Sequence, residues 1–201
     1  GDVYKRQVEE EGGVVVAKSN TPEFGAGAST FNDVFGRTHN PWNVTKSVAG
    51  SSGGSAAAVA SGEVWLAHGS DLGGSLRIPG AFNSVVGLRP STGRVPRGLR
   101  HPFGASMFGS LYAEGPIARN VDDLALFLDV LAKQHPEEPY SFPPPAESYA
   151  SQARRTPSSI RVAYSENLGI TPVAREVTEV CATAMELSLI HISEPTRPVM
   201  I

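Results

Sequence analysis

The chain has 201 residues, of which 40% are hydrophobic and 18% are charged, a composition typical of a globular domain with a buried core. Its formal net charge of -3 offers no basic surface for nucleic acid, and its single cysteine, Cys181, excludes an internal disulfide framework. No apolar run approaches the roughly 18 residues that a membrane-spanning helix requires, so we expect neither nucleic acid nor a membrane as partner.

The two ends of the chain resemble translated adapter DNA. The codons gat gtg tat aag aga cag encode residues 2–7, and their reverse complement, ctg tct ctt ata cac atc, encodes residues 187–192. Such a pair resembles read-through of a sequencing-library adapter, and residues 193–197 resemble its continuation. We therefore expect residues 1–7 and 187–201 to be non-native, and residues 8–186 to be a native segment truncated on both sides.

The first half of the chain predicts strands and a helix around a long loop. Residues 14–17 form a β-branched run that indicates a buried strand, and residues 19–48, rich in Asn, Gly, Thr and Pro, indicate a functional loop. The motif Gly50-Ser-Ser-Gly-Gly-Ser55 supplies capping serines for a helix over residues 56–60. Residues 64–67 predict a second strand.

The second half continues the alternation of strands and helices. The pattern predicts a strand at 84–88 and a helix in 120–131 with an asparagine cap. Residues 134–158 are rich in proline and indicate an exposed connection, followed by a predicted strand at 160–164 and a predicted helix at 172–186. This order of elements predicts an α/β fold, with a mixed β-sheet core covered by helices.

Two glycine-serine clusters carry the chemistry of this sequence: Gly50-Ser-Ser-Gly-Gly-Ser55, and Gly69-Ser-Asp-Leu-Gly-Gly-Ser75. Consecutive glycines let the backbone aim several N–H groups into one concavity that binds an anion. A serine at the rim of such a concavity lies where an attacked carbonyl would develop negative charge. The pattern therefore favours Ser75 as a nucleophile beside its oxyanion hole.

A serine hydroxyl needs a base to take its proton, and the residues alone leave the identity of that base open. His68 lies shortly before Ser75, but it falls in an apolar strand run and is more typical of a structural histidine. A Ser-His-Asp triad therefore has no specific support. A serine–lysine arrangement is the known alternative.

The ordered set of motifs resembles the amidase signature family. The two clusters, extended to Pro79, match the signature itself, and further segments match in family order: Ala17-Lys-Ser-Asn-Thr-Pro-Glu-Phe24, Asn40-Pro-Trp42, Val86-Gly-Leu-Arg-Pro90 and Glu114-Gly-Pro-Ile-Ala-Arg119. The match covers most of residues 14–131. The resemblance implies the amidase-signature fold, incomplete here, so residues 8–186 are expected to form a partial amidase domain.

The resemblance implies a Ser-Ser-Lys triad, with no metal and no organic cofactor. It places the nucleophile on Ser75 and the bridging serine on Ser51, which in the family follows a cis peptide bond. The implied oxyanion hole consists of the backbone N–H groups of Leu72, Gly73, Gly74 and Ser75.

The same family pattern argues against Lys18 as the base. The segment that contains Lys18 is not the catalytic one in the family, where the lysine belongs to a Lys-Asp-like segment a few dozen residues earlier. That segment would lie before residue 1, and Lys5 falls in the adapter-like end. We therefore expect the catalytic lysine to be missing from this chain, and the chain alone to be inactive.

Several residues around the clusters have both a functional and a structural interpretation. Asp71 and Arg77 either pair and hold the nucleophile loop rigid or remain separately solvated. Ser52 and Ser70 either donate to the site or serve as helix caps and turn residues. The aromatic residues that either line an acyl pocket or fill the core are Phe24, Trp42 and Phe108.

These observations predict an amidase that converts a small-molecule carboxylic amide to an acid plus ammonia or an amine. One alternative is the glutaminase (A) subunit of a tRNA-dependent amidotransferase, which would use the same serines. An alternative of another class is a phosphate- or nucleotide-binding module, because a glycine-serine cluster opens a helix. We expect a cytoplasmic protein, while a signal sequence before residue 1, a homodimer and the identity of the amide stay open.

Overall fold

A computed structural model describes residues 3–97, 111–136, 138, 140–155 and 162–191, with residues 189–191 described by their backbone alone. Residue contacts divide the chain into two units, Gly1–Arg154 and Arg155–Ile201. The residues expected to carry the chemistry all lie in the first unit.

The first unit contains short helices and strands in alternation. Its helices are α1 (Val3–Glu10), α2 (Gly53–Ala60), α3 (Arg77–Asn83), α4 (Val121–Leu131) and α5 (Tyr149–Ala153). Its strands are β1 (Phe31–Asn32), β2 (Gly36–Arg37), β3 (Leu66–Asp71), β4 (Val86–Gly87) and β5 (Ala113–Ala118). The second unit contains α6 (Arg175–His191).

The central sheet has the strand order β3-β5-β4, and both of its strand pairs are antiparallel. The register places Leu66 opposite Ala118 and Asp71 opposite Ala113, so β3 and β5 pair along their full length. A separate hairpin of β1 and β2 lies within the long loop. The predicted α/β class is confirmed, with antiparallel pairing throughout the described strands.

The core forms between this sheet and two helices. One buried cluster joins α2 to the sheet and consists of Ala56, Val59, Leu76 and Ile117. Another cluster centres on α4, which begins as predicted where the Asn120 side chain accepts a hydrogen bond from Asp123 N at 2.8 Å. The first cluster matters for function, because both serine clusters are attached to it.

The prediction of a buried strand at residues 14–17 is wrong. The segment is extended but pairs with no strand among the described residues, and Val14 is 82% exposed. The pattern also missed α3 and β5. Gly115 and Pro116 interrupt the strand pattern of β5, although a Cβ at position 115 would collide with the Leu88 carbonyl, so the glycine is required there.

The remaining predicted elements differ from the structure mainly at their ends. The strand predicted at 84–88 shrinks to β4 because Ser84, at a φ of 55°, ends α3 in the left-handed conformation. Residues 160 and 161 lie outside the described residues, and 162–164 form no strand. The predicted second-unit helix exists as α6, but Val177 and Val180 on its expected apolar face are exposed.

Candidate active site

The first serine cluster lies where the long loop enters α2. The Gly50–Ser51 peptide bond is cis, and Ser51 is buried just before the helix. The backbone N–H of Ser52 donates to the carbonyl of Ser75 at 3.3 Å. This hydrogen bond brings the two serine clusters into contact, although a helix and a strand separate them in the sequence.

Leu76 anchors the second serine cluster in the core. Its side chain is fully buried, and three glycines make room for it. A Cβ added at Gly69 or Gly115 would lie 2.9 or 2.8 Å from a Leu76 methyl carbon, and one at Gly87 would collide with the Leu76 carbonyl. These glycines therefore seat Leu76 and thereby fix the backbone of the adjacent Ser75.

The buried carboxylate of Asp71 organises the loop that carries Ser75. Its Oδ1 accepts a hydrogen bond from Gly74 N at 2.8 Å, and its Oδ2 accepts one from Leu76 N at 3.1 Å. Arg77 donates to both carboxylate oxygens, each at 3.0 Å. Asp71 and Arg77 thus form a two-pronged salt bridge, and the alternative of separately solvated charges does not apply.

These contacts set the charge state of Asp71. Burial raises the pKa of its carboxyl, but the hydrogen bonds from Arg77, Gly74 and Leu76 outweigh burial, so the pKa lies below its usual value. The same salt bridge raises the pKa of the Arg77 guanidinium. The loop therefore holds a charged carboxylate and a charged guanidinium close to Ser75 at neutral pH.

One of the four predicted oxyanion donors is engaged elsewhere. The Gly74 N–H donates to Asp71 Oδ1, so the prediction that it faces the oxyanion is wrong in this structure. The chain turns around the carboxylate at Gly74, whose φ is +116°. The N–H groups of Leu72, Gly73 and Ser75 make no hydrogen bond within the described part of the chain and so are available to an anion.

The Ser52 side chain ties α2 to β3 instead of capping the helix. Its Oγ donates to the Ser70 carbonyl at 3.2 Å and accepts from the Ser70 N–H at 3.1 Å. By contrast, the hydroxyls of Ser51 and Ser75 have no hydrogen-bond partner among the described residues. The two hydroxyls proposed for catalysis are therefore the ones that the fold leaves available.

The candidate bases within the chain are otherwise occupied or lie at the surface. Lys18 is exposed and makes no hydrogen bond to a described residue. The His68 ring stacks on Tyr4 with 3.7 Å between ring centroids, and its Nε2 lies 3.1 Å from Glu114 Oε2 without hydrogen-bond geometry. These contacts favour a packing role for His68.

The aromatic residues give little support to the acyl-pocket interpretation. Phe24 is exposed, and Trp42 is 67% exposed with its Nε1 donating to the Asn83 carbonyl at 2.8 Å. Phe108 lies outside the described residues. The acyl pocket stays a prediction.

Two residues near the site were missed in the sequence. The buried Thr30 donates from Oγ1 to the Ala49 carbonyl at 2.8 Å and lies 3.4 Å from the Ser51 carbonyl. Arg89 lies 3.5 Å from the Asp71 carboxylate. No local pattern marks Thr30, whereas Arg89 stands in a family-like segment, and that was the available signal.

The described residues contain no group of three or more His, Cys, Asp or Glu side chains that could hold a metal ion. In the same residues, no helix is both long and apolar enough to cross a membrane. The chemistry that remains at this site is that of hydroxyls, backbone amides and the Asp71 salt bridge.

A family model described as Amidase matches residues 3–194. The chain belongs to the amidase family. It is 44% identical over 174 residues to an acylamidase of Rhodococcus erythropolis, an alignment that covers 87% of this chain and 36% of the relative. It is 38% identical over 190 residues to the A-type subunit of the glutamyl-tRNA(Gln) amidotransferase of Rubrobacter xylanophilus, an alignment that covers 92% of this chain and 38% of that one.

The fold agrees with this family membership. The chain superimposes on the crystal structure of a bacterial aryl acylamidase of the amidase signature family with a TM-score of 0.84 and 33% identity, covering 94% of this chain and 38% of that one. The resemblance to amidase signature enzymes is therefore confirmed in both sequence and structure. The chain spans little more than a third of the length of these family members.

Proposed function

We propose that the protein hydrolyses a carboxylic amide through an acyl-enzyme on Ser75. The observation that carries this proposal is the hydrogen bond between Ser52 N and the Ser75 carbonyl, which joins the two serine clusters beside unoccupied backbone amides. Its amidase relatives support the same reaction class. The substrate amide and its acyl group are not specified by these residues.

In the proposed mechanism, a neutral lysine from outside residues 1–201 takes a proton from Ser51 as Ser51 takes one from Ser75. Ser75 Oγ attacks the amide carbonyl carbon, and the N–H groups of Leu72, Gly73 and Ser75 hold the tetrahedral oxyanion. The leaving amine takes its proton back through Ser51. Water then hydrolyses the acyl ester by the same route.

The supporting residues hold this geometry without touching the substrate. Asp71 and Arg77 keep the nucleophile loop in shape, and the Ser52–Ser70 pair fixes the helix against the strand. Removing one donor from an oxyanion hole lowers turnover by about 10² to 10³. We therefore expect the loop geometry to matter almost as much as the nucleophile.

A fluorophosphonate probe tests the nucleophile in the full-length protein that carries this chain. Ser75→Ala should abolish labelling and amide hydrolysis, and Ser51→Ala should slow both, because the proton path is broken. Ser61→Ala is the matched control, since Ser61 bonds only to carbonyls at the exposed end of α2. Full labelling of Ser75→Ala would refute the assignment.

A second experiment addresses the base. Residues 8–186 alone should hydrolyse no amide, because the proposed lysine lies elsewhere, and Lys18→Met in the full-length protein should keep normal activity. Amide hydrolysis by the isolated segment that disappears in Lys18→Met would instead identify Lys18 as the base.

The glutaminase subunit of a tRNA-dependent amidotransferase is the second candidate, favoured by the similarity to glutamyl-tRNA(Gln) amidotransferase chains. It would use the same serines but pass ammonia to a partner protein. Release of free ammonia from simple amides without any partner supports the amidase, whereas a preference for glutamine and copurification with a second subunit support the glutaminase.

The phosphate-binding alternative finds no support at the start of α2. A Cβ at Gly53 would collide with the Thr30 side chain, and one at Gly54 would collide with the Asn20 backbone. The helix start is therefore covered by the long loop and has no open face for a phosphate.

A further inference from the structure

Arg89 joins the nucleophile loop to a distant part of the backbone. It follows β4, and its Nε lies 3.5 Å from Asp71 Oδ1 in an ion pair. Its Nη2 donates to the Leu111 carbonyl at 2.6 Å, just before β5 begins. One guanidinium therefore links the carboxylate under Ser75 to the segment that enters the central strand of the sheet.

The oxygen that Arg89 contacts is the one that shapes the loop. Asp71 Oδ1 also accepts the Gly74 N–H at 2.8 Å and the Arg77 Nη2 at 3.0 Å. Gly74 immediately precedes Ser75, so a rotation of the carboxylate would move the peptide on which the Ser75 N–H is carried. The position of this oxygen is thus coupled to one of the proposed oxyanion donors.

The two guanidinium groups are not equivalent. The Arg77 side chain is 56% exposed and the Arg89 side chain 27% exposed, while Asp71 is fully buried. Water screens the more exposed cation more strongly. Arg77 belongs to the same loop as Asp71 and moves with it, whereas Arg89 is attached to the sheet and can define where the carboxylate stands.

We infer that Arg89 is a positioning residue that fixes the Asp71 carboxylate, and through it the Gly74–Ser75 peptide, relative to the sheet. This inference rests on the proposed function of Ser75. A planar guanidinium can donate to Asp71 and to the Leu111 carbonyl at once, which the single ammonium of lysine at the same position cannot reproduce in the same geometry.

The test measures fluorophosphonate labelling of the full-length protein with wild type, Arg89→Met and Arg89→Lys. The labelling amplitude counts folded sites, and the labelling rate reports how well the site is arranged. We expect full amplitude in all three, a rate about tenfold to a hundredfold lower for Arg89→Met, and an intermediate rate for Arg89→Lys. In amide hydrolysis, kcat should fall while KM stays within about twofold.

Arg94→Met is the matched control, because Arg94 also donates to a carbonyl, that of Pro143, but does not contact Asp71. A normal labelling rate for Arg89→Met would overturn the inference. Reduced amplitude at a normal rate would also overturn it, because the role would then be only in folding. Failure of the proposed function is a separate outcome, recognised by unaltered labelling of Ser75→Ala.

Discussion

The two serine clusters are held in place by different interactions. The first cluster depends on neutral hydrogen bonds and on close backbone packing, as where Ser55 Oγ donates to the His68 carbonyl at 2.8 Å and Gly54 abuts Asn20. The second cluster depends on a buried carboxylate, Asp71, that gathers two backbone amides and two guanidinium groups. The first should therefore be sensitive to steric change, and the second to charge.

This division fits the chemistry proposed for each cluster. The segment with Ser51 has to place one hydroxyl between two partners, which rigid packing achieves. The loop with Ser75 has to present amides to a developing negative charge, and here a carboxylate binds some of the loop N–H groups while others stay available. The following substitutions separate the two modes by the free energy of unfolding.

Asp71→Asn should have the largest effect on stability, a loss of about 3 kcal/mol, because it removes the charge that two guanidinium groups and two amides share. Urea unfolding of the purified chain measures it. Asp122→Asn is the control, since that aspartate pairs with Arg154 at the surface and should contribute less than about 1 kcal/mol. Equal losses in the two variants would contradict the assignment of Asp71 as the organising group.

Gly54→Ala should come next, with a loss of about 2 kcal/mol, because its Cβ would lie 2.6 Å from Asn20 N and backbone cannot move aside as a side chain can. The steric cost should be independent of salt, unlike that of Asp71→Asn. Gly73→Ala tests the contrast, since a Cβ there meets nothing within 4 Å. A stability loss for Gly73→Ala as large as that for Gly54→Ala would show that flexibility, not packing, explains the glycines.

Sequence reasoning found the reactive residues more reliably than the strands. The glycine-serine clusters are local patterns, and the structure brings the segments of Ser51 and Ser75 together as the resemblance implied. The exposed valines at 14–17 show the opposite case, because a β-branched run predicts a strand only where a partner strand exists. Strand pairing is a long-range property that no local pattern contains.

The details missed at the site are also long-range. The Gly74 N–H was assigned to the oxyanion hole by analogy along the motif, but its direction is set by the Asp71 carboxylate. Arg89 and Thr30 reach the site from the end of β4 and from the long loop. Their roles follow from which segments meet in the fold, so they became visible only in three dimensions.

Ser52→Ala should cost about 1 kcal/mol, because the N–H and the carbonyl of Ser70 lose their shared neutral partner. The loss should be the same in urea unfolding at pH 7 and at pH 3, since no charge is involved. Ser61→Ala removes a hydroxyl from the exposed end of α2 and should change stability by less than about 0.5 kcal/mol. A strongly pH-dependent loss for Ser52→Ala would mean that the first cluster is coupled to a titrating group.

Arg77→Met should give the smallest effect, below about 1 kcal/mol at pH 7, because the Arg77 side chain is mostly exposed. Its pH dependence should nevertheless be distinctive. The folded-state pKa of Asp71 lies below the usual 3.8, so the stability that Arg77 provides is fully present above pH 3.8 and is lost as the pH falls through the lower, folded-state pKa. The difference in unfolding free energy between wild type and Arg77→Met should therefore shrink below pH 3.8, while the difference for Ser52→Ala stays constant. Parallel behaviour of the two variants would remove the distinction between a charge-held loop and a packing-held helix start.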